Sequence, residues 1–224
     1  MTMEMTMEKK VQILYDVYQI QNLASAYVNS LHYGRIDYII NDLFTTKTPG
    51  QKIQITDWGV WEGVDAANRL FNGMHLWDNP TKKLGLVTNN RHEVDSPFIQ
   101  VAEDGESAIG VWFAPGYETW PCGQANLTPW WCWGGYWMAF RKEEGEWRIW
   151  QMKFVVSMDC DMNIGMVEGN TSPKTKHTWD KFPKETLPDR EGVDYIYHPV
   201  GPRRPDMLPL PKPYKTWSDD MSII

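Results

Sequence analysis

Residues 91–112 read RHEVDSPFIQVAEDGESAIGVW. Two runs within it, 98–102 and 107–113, are rich in aromatic and β-branched residues, which is typical of β-strands. Between them stands Asp104-Gly105, a dipeptide that favours a tight hairpin turn. The stretch therefore predicts two antiparallel strands joined by a hairpin.

A second hairpin is predicted further along the chain. Residues 136–140 and 146–156 have the same strand-like composition, and Glu143-Glu-Gly145 lies between them. The last strand places large apolar side chains, among them Trp150 and Phe154, on both of its faces, so we expect both faces to be covered. Helices can cover one face, and a second copy of the chain is the natural cover for the other. We therefore expect a homodimer or a homotrimer.

The residues upstream of the hairpins follow helical spacing instead. Between residues 8 and 31 the apolar positions recur at helical spacing without an intervening proline: Val11, Leu14, Val17, Tyr18, Leu23, Tyr27 and Leu31. Gly34 follows where a helix C-cap belongs, and Asp37 is the expected N-cap of a short second helix. A strand over 52–61 and a third helix from Gly63 to about His75 complete this half. Helices followed by a meander of strands predict an α+β fold, with the helices packed on a curved, mostly antiparallel sheet.

The last sixty residues differ in character from the rest. Nine of the 15 prolines lie after residue 164, and the apolar periodicity disappears there. We therefore expect one domain over 8–164 and an extended proline-rich tail over 165–224. Aromatic residues in the tail, such as Trp217, would anchor it on its own subunit or on a neighbouring one.

Composition restricts the possible partners and location. The formal net charge is −7 and no long basic run is present, which argues against a nucleic-acid partner. No apolar stretch reaches the ~20 residues that span a bilayer, and the N-terminus lacks a signal-peptide core. Three cysteines without a CxxC pair fit reduced thiols, so we expect a cytoplasmic protein without a membrane partner. Thirteen tryptophans point either to interfaces or to a cavity with aromatic walls.

Three segments in order, 20–44, 91–116 and 133–150, give the chain a resemblance to the SnoaL-like branch of the NTF2-like superfamily. The resemblance implies a cone-shaped α+β domain with one deep small-molecule pocket. Members of the superfamily include dehydratases, isomerases, polyketide cyclases, aldol-type lyases and plain ligand-binding proteins, so the fold alone does not decide the function.

The resemblance also implies candidate catalytic residues. Dehydratases of this type use a Tyr on the first helix, an Asp five residues later and a His on a strand. Tyr27 and His92 match the Tyr and the His, but His32 stands where the family has the Asp. Either a His–His pair replaces the usual pair, or an Asp comes from elsewhere in the chain; His32 would otherwise serve as a helix C-terminal cap.

Chemistry of the side chains supports a role in acid–base catalysis. A neutral His92 imidazole can take a proton next to a carbonyl group and return it to a leaving hydroxyl, because imidazole titrates near neutral pH. Tyr136 can donate to a substrate oxyanion, and Lys153 can reach an anionic substrate group. Five tryptophans suit the walls of a pocket for a flat ring system: Trp58, Trp61, Trp112, Trp133 and Trp137. Each of these residues has a purely structural alternative, in the core or at the surface.

The leading hypothesis is therefore a cofactor-free lyase. It would eliminate water, or cleave a C–C bond in aldol fashion with release of a group such as formaldehyde, on an aromatic or ring-containing substrate. No nucleotide-binding motif and no metal-ligand spacing is present in the sequence, so neither cofactor nor metal is expected. The alternatives are a non-catalytic ligand-binding or assembly protein, and an isomerase or cyclase with the same pocket.

Overall fold

The computed structural model describes residues 5–73, 89–120, 128–168, 183–193 and 207–224. The expected end of the third helix, near His75, lies outside these residues, as does Cys122. Among the described residues, none of the helices combines the length and the apolar character that crossing a membrane requires.

The predicted first helix is confirmed. α1 spans Met7–His32, begins where the Thr6 side chain accepts a hydrogen bond from the Lys9 N–H, and ends before Gly34, which has a φ of +67°. Its buried positions are Asp16, Ile20, Ala24, Tyr27, Val28 and Ser30. Burial begins at Asp16, whose carboxylate accepts from Trp147 Nε1 at 2.9 Å. The expectation that the apolar stripe starts at Val11 is wrong, because the helix meets the sheet only from Asp16 onward.

A second short helical unit follows. α2 spans Ile36–Tyr38 and continues as a π-helical turn over Ile39–Leu43. Its N-cap is Arg35 and not Asp37 as predicted, and no side chain caps it. Residues 66–73 are also helical, as far as the described part of that segment reaches.

The predicted strand over 52–61 is a hairpin of two strands, β1 Lys52–Ile55 and β2 Gly59–Glu62. The chain reverses between them, with φ values of +37° at Thr56 and +145° at Gly59. A φ of +145° favours glycine, so Gly59 was the sequence signal for this turn.

The meander of strands is confirmed and is longer than predicted. The strands are β3 Asn90–His92, β4 Asp95–Val101, β5 Ser107–Ala114, β6 Gly116–Trp120, β7 Thr128–Glu143 and β8 Glu146–Asp161. The sheet order is β2-β1-β8-β7-β5-β4, and β6 pairs with both β7 and β3. All pairs are antiparallel except β1 with β8, so the fold is the expected α+β arrangement on a mixed, mostly antiparallel curved sheet.

Both ends of the sheet path carry irregular features. β4 shifts register between Asp95 and Phe98, and Ser96 has a φ of +50° there. At the other end, β2 forms an isolated bridge between Val60 and Arg190. The Val60 N–H donates to the Arg190 carbonyl at 2.9 Å, so a short piece of the tail lies along β2.

Each face of the sheet has its own apolar cluster. The inner face packs with α1 and residues 66–71 in a large core that contains Tyr27, Tyr136, Met152 and Phe154. The outer cluster consists of Ile109, Val111, Trp137, Ala139 and Trp150, and it is covered by side chains from 207–224, among them Leu208, Tyr214, Trp217 and Ile223. The expectation that β8 leaves an apolar face to a partner subunit therefore rests on a wrong premise, because the chain's own C-terminal segment covers it. The homo-oligomer itself stays a prediction.

Candidate functional site

His92 lies on the inner face of the sheet, and β-pairing determines which residues surround it. β3 pairs with β6 so that His92 is opposite Gly116 and Asn90 is opposite Glu118. β6 pairs with β7 so that Glu118 is opposite Trp130. Because side chains alternate along a strand, Asn90, His92, Glu118 and Cys132 all point to the same face.

His92 forms a buried pair with Glu118. The His92 Nε2 and Glu118 Oε1 atoms are 2.8 Å apart, and the two side chains are 3% and 9% exposed. Asn90 Nδ2 also donates to Glu118 Oε1, at 3.3 Å. A carboxylate only accepts hydrogen bonds, so the pair assigns the proton of the neutral imidazole to Nε2 and leaves the lone pair on Nδ1. Nδ1 is buried and has no hydrogen-bond partner among the described residues.

Glycine at position 116 leaves the space that the imidazole needs. A Cβ built on Gly116 would lie 2.6 Å from His92 Nδ1 and 2.3 Å from the Arg91 carbonyl oxygen. Neither distance is compatible with a real side chain, so β6 can approach β3 this closely only without a Cβ at this position.

Cys132 adds a thiol to the same group. Its side chain is buried, and burial together with the nearby negative charges of Glu118 and Asp159 raises its pKa well above the ordinary thiol value. The ligand-type atoms of His92, Glu118 and Cys132 all lie within 4.8 Å of one another. Three strands thus bring an imidazole nitrogen, a carboxylate and a thiol together below the protein surface.

Two buried phenols lie next to this group. Tyr27, from α1, and Tyr136, from β7, pack edge to face, with their ring centroids 5.8 Å apart. Burial raises the pKa of both hydroxyls, so both are neutral proton donors at physiological pH. The ring of Phe154 stacks on Tyr136 and meets the His92 ring edge to face, both at 4.7 Å between centroids. Phe154 therefore links the phenols to the His92–Glu118 pair.

His32 lies near this group without joining it. Its Nδ1 is 3.2 Å from the backbone carbonyl oxygen of Asn90, and its ring packs against Tyr33 at the end of α1. It therefore contacts the strand that carries His92, but through the backbone. The carboxylate beside His92 belongs to Glu118 on β6, whereas the expected alternatives were a His–His pair or an Asp from elsewhere in the chain.

The tryptophans expected around one pocket separate into three groups. Trp61 and Trp112 are buried in the inner core and Trp58 packs against it, while Trp61 Nε1 donates to Thr186 and Trp112 Nε1 to Gln21. Trp133 is 48% exposed. Trp137 lies in the outer cluster, so it cannot share a wall with His92.

Lys153 also lies on the outer face. It is opposite Trp137 in the register, it is buried, and its Nζ donates to the Ile223 carbonyl at 3.3 Å. The strand alternation therefore turns Lys153 to the side covered by the C-terminal segment, opposite to the face that carries His92.

Glu118, Asn90 and Cys132 were missed in the sequence. The alternation of Asn90 with His92 was a usable signal, since residues two apart on a strand share a face. Gly116, two residues before Glu118, was a second usable signal, because a glycine in a strand often marks a close approach of another part of the chain. The register that places β6 beside both β3 and β7 cannot be inferred from spacing, because each strand is separated from its neighbour by many residues.

Comparisons with solved structures show which fold surrounds these residues. At 13% identity and a TM-score of 0.54, the chain is similar to a protein assigned as a scytalone dehydratase from Novosphingobium aromaticivorans DSM 12444, with 73% of this chain and 97% of that chain covered. At 11% identity and a TM-score of 0.51, it is similar to the hexachlorocyclohexane dehydrochlorinase LinA-type3 from Novosphingobium barchaimii LL02, with 68% and 94% covered. An NTF2-like protein with a cystatin-like fold from Novosphingobium aromaticivorans gives 14% identity, a TM-score of 0.50, and 70% and 92% coverage.

These similarities establish the fold, since all three identities are low. A comparison of the sequence with curated proteins gives no match. In contrast, the sequence model of the SnoaL-like domain family matches residues 12–153, which is more than half of the 224 residues. The matched segment contains Tyr27, His92, Glu118 and Tyr136, and by this match the chain belongs to the SnoaL-like domain family.

Proposed function

We propose that this protein is a cofactor-independent lyase that acts on an aromatic or ring-containing small molecule. The reaction is either dehydration or an aldol-type C–C cleavage such as deformylation. The observation that carries the proposal is the buried His92–Glu118 pair, at 2.8 Å, near the packed phenol rings of Tyr27 and Tyr136.

The proposed chemistry begins with proton removal. Glu118 holds the Nε2–H of His92 and stabilises the imidazolium that forms when Nδ1 takes a proton from the substrate. In a dehydration this proton comes from the carbon next to a carbonyl. The electron pair of the C–H bond forms the new double bond. The His92 imidazolium returns the proton to the hydroxyl on the adjacent carbon, which leaves as water with the electron pair of the C–O bond.

The phenols stabilise the negative charge that develops on the substrate oxygen. Tyr27 and Tyr136 are neutral donors, because burial raises the pKa of each. A neutral phenol donates a hydrogen bond to an enolate oxygen more strongly than to the ketone from which it forms, so the contact favours the transition state. The aromatic rings of Phe154 and Tyr136 suit a flat, ring-containing substrate.

The fold neighbours support the class of reaction. One is described as a scytalone dehydratase and others as dehydrochlorinases, and both names denote elimination reactions. A non-catalytic ligand-binding protein, or an isomerase or cyclase, remains the second candidate. His32 in place of the family carboxylate favoured the non-catalytic alternative, but Glu118 offers a carboxylate to His92 from a different strand.

The test uses two neutral substrate types with the full-length protein. Aryl β-hydroxy ketones report water loss by the absorbance of the conjugated product, and 1,2-diaryl-3-hydroxypropan-1-ones report aldol-type C–C cleavage by formaldehyde release. On the substrate that the wild type converts, His92→Ala should lower kcat by about 10²–10⁴-fold. Retention of more than about half of the wild-type turnover would remove His92 from the mechanism.

Two further variants separate chemistry from folding. Glu118→Gln keeps an acceptor for Asn90 but removes the charge, and we expect kcat to fall by about 10–10²-fold while the thermal midpoint changes little. Trp133→Ala serves as the control, because its side chain is exposed and should leave kcat unchanged. Binding of these aromatic compounds without turnover of any of them would favour the ligand-binding alternative.

A further inference from the structure

We propose that His92, Glu118 and Cys132 form a binding site for a thiophilic divalent cation of the Zn²⁺ type. The proposal goes beyond the acid–base reaction, since it concerns a ligand that this reaction does not use. It also involves Cys132, which the proposed reaction leaves without a role.

The donor set is the first argument. Zn²⁺ in proteins is bound by imidazole nitrogen, thiolate sulfur and carboxylate oxygen, and sites with three protein ligands keep one position open. His92, Glu118 and Cys132 supply one of each, and all three residues are buried. Buried groups of this kind are uncommon without a ligand or a catalytic role, and the proposed reaction accounts only for the imidazole and the carboxylate.

The spacing is the second argument. The three ligand atoms lie within 4.8 Å of one another, and His92 Nε2 is 2.8 Å from Glu118 Oε1. Tetrahedral zinc with bonds of about 2.0–2.3 Å separates its ligand atoms by about 3.3–3.7 Å. The nitrogen and the oxygen must therefore move apart by about 0.5–1 Å to bind the same zinc ion.

Charge is the third argument. A bound cation takes Cys132 as a thiolate, because the thiolate is the ligand form of cysteine. Glu118 and the thiolate then carry two negative charges, which one divalent cation neutralises while His92 stays neutral. The complex has no net charge, which suits a site enclosed by Phe154 and other aromatic side chains. Asn90, whose buried Oδ1 has no partner among the described residues, offers a further neutral oxygen next to Glu118.

Metal binding would exclude the proposed reaction. A cation on Nε2 occupies the nitrogen that carries the proton in the free protein, so the ring proton moves to Nδ1. Nδ1 then has no lone pair and cannot act as a base. This consequence rests on the proposed function, whereas the metal site does not.

The experiment measures binding directly. The full-length protein, freed of metal with a chelator, is titrated with Zn²⁺ by calorimetry and with Co²⁺ by absorbance. We expect one equivalent to bind, with a thiolate-to-cobalt charge-transfer band in the near ultraviolet. Cys132→Ser should abolish this band and weaken Zn²⁺ binding by at least about tenfold. Cys160→Ser, a change to another buried cysteine on the neighbouring strand β8, should keep both.

Three results would overturn the site: no stoichiometric binding, a band that survives Cys132→Ser, or a band that disappears equally in Cys160→Ser. A melting curve for each variant checks folding, and His92→Gln tests a second ligand if Cys132→Ser is unfolded. On a substrate that the protein converts, Zn²⁺ should inhibit the wild type in proportion to its occupancy. Absence of Zn²⁺ binding leaves the lyase proposal untouched, and absence of turnover leaves the metal site untouched.

Discussion

Among single residues, two determine the position of the His92 imidazole: Glu118, which bonds to it, and Gly116, which has no side chain to displace it. His92 is held through Nε2 by Glu118, and Gly116 leaves its other nitrogen uncrowded. The identity of residue 116 therefore matters as much to the position of the imidazole as the residue that bonds to it.

Gly116→Ala tests this directly. Its Cβ would lie 2.6 Å from His92 Nδ1 and 2.3 Å from the Arg91 carbonyl oxygen, so the imidazole and strand β3 must both shift. We expect the free energy of unfolding to fall by about 1–3 kcal/mol, as in other overpacked sites. We also expect turnover to fall by more than the folded fraction does, because the base is displaced.

A double-mutant cycle with His92→Ala separates the two clashes. Removing the imidazole relieves the contact with Nδ1 but not the contact with the Arg91 backbone. The stability losses measured by denaturant unfolding should therefore be less than additive. Full additivity would show that the methyl group does not press on the imidazole.

The same residues show how far sequence reasoning reaches. Tyr27 and His92 were predicted because the family resemblance assigns one residue at a time, and the structure places both on the inner face. Glu118 was not predicted, because it comes close to His92 only through the pairing of β3 with β6. A strand register is a property of two distant segments, and no local pattern around either residue encodes it.

At the scale of elements, the hairpin between β7 and β8 also anchors a distant turn. The Glu143 carboxylate accepts hydrogen bonds from the backbone N–H groups of Thr46, Lys47 and Thr48, at 2.8–3.0 Å. Partial burial works to raise its pKa, but these bonds outweigh that effect and lower the pKa to about 2. Glu143 thus ties the segment after the π-helical turn to the end of β7.

This pKa predicts how stability depends on pH. A carboxyl whose pKa is lower in the folded than in the unfolded protein stabilises the fold above its unfolded value, near 4.5, and this stability is lost as pH falls toward about 2. The difference in unfolding free energy between wild type and Glu143→Gln should therefore shrink as pH falls from about 5 to about 2. Glu144→Gln is the matched control, since Glu144 pairs with Lys47 at the surface and should cost little at any pH. A constant difference across this range would contradict the assignment.

The sequence predicted which segments form helices and strands more reliably than it predicted where each helix or strand begins and ends. The helix over α1 and the strands β4, β5, β7 and β8 were anticipated, because long periodic runs carry strong signals. The β1–β2 hairpin was read as one strand, since a turn of three residues with only Gly59 as its marker interrupts the apolar run too briefly to be recognised.

At the scale of the whole molecule, the outer face of the sheet is covered by the C-terminal segment over 207–224. Trp217 packs edge to face on Trp150 at 4.9 Å, and the Arg141 guanidinium lies 4.4 Å from the Trp150 ring. Tyr214 shares a hydrogen bond of 3.2 Å with Ser107. The tail was predicted to dock through its aromatic residues. The surface on which it docks could not be predicted, because the tail lacks the periodicity that identifies a buried face.

Removal of residues 207–224 should expose the outer cluster. We expect a lower melting temperature, increased binding of a hydrophobic dye, and association to masses above that of the full-length protein, since exposed apolar patches of this size promote association. Trp217→Ala is the milder variant and should cost about 1–2 kcal/mol through its ring and cation contacts. A truncated protein with the mass and dye binding of the full chain would show that the segment covers nothing essential. Light scattering on the full chain tests the predicted homodimer or homotrimer separately.

The irregular ends of the sheet limit how copies of this protein can associate. At β4, the left-handed backbone of Ser96, the register shift and Pro97 interrupt the row of hydrogen-bonding groups that an incoming strand would need. At β2, the Val60 N–H already donates to Arg190, so part of that row is occupied as well. Within the described part of the chain, neither border offers an unbroken template for strand addition. Strand addition by a second copy is therefore hindered at these two borders, and the same irregularities limit edge-to-edge aggregation there.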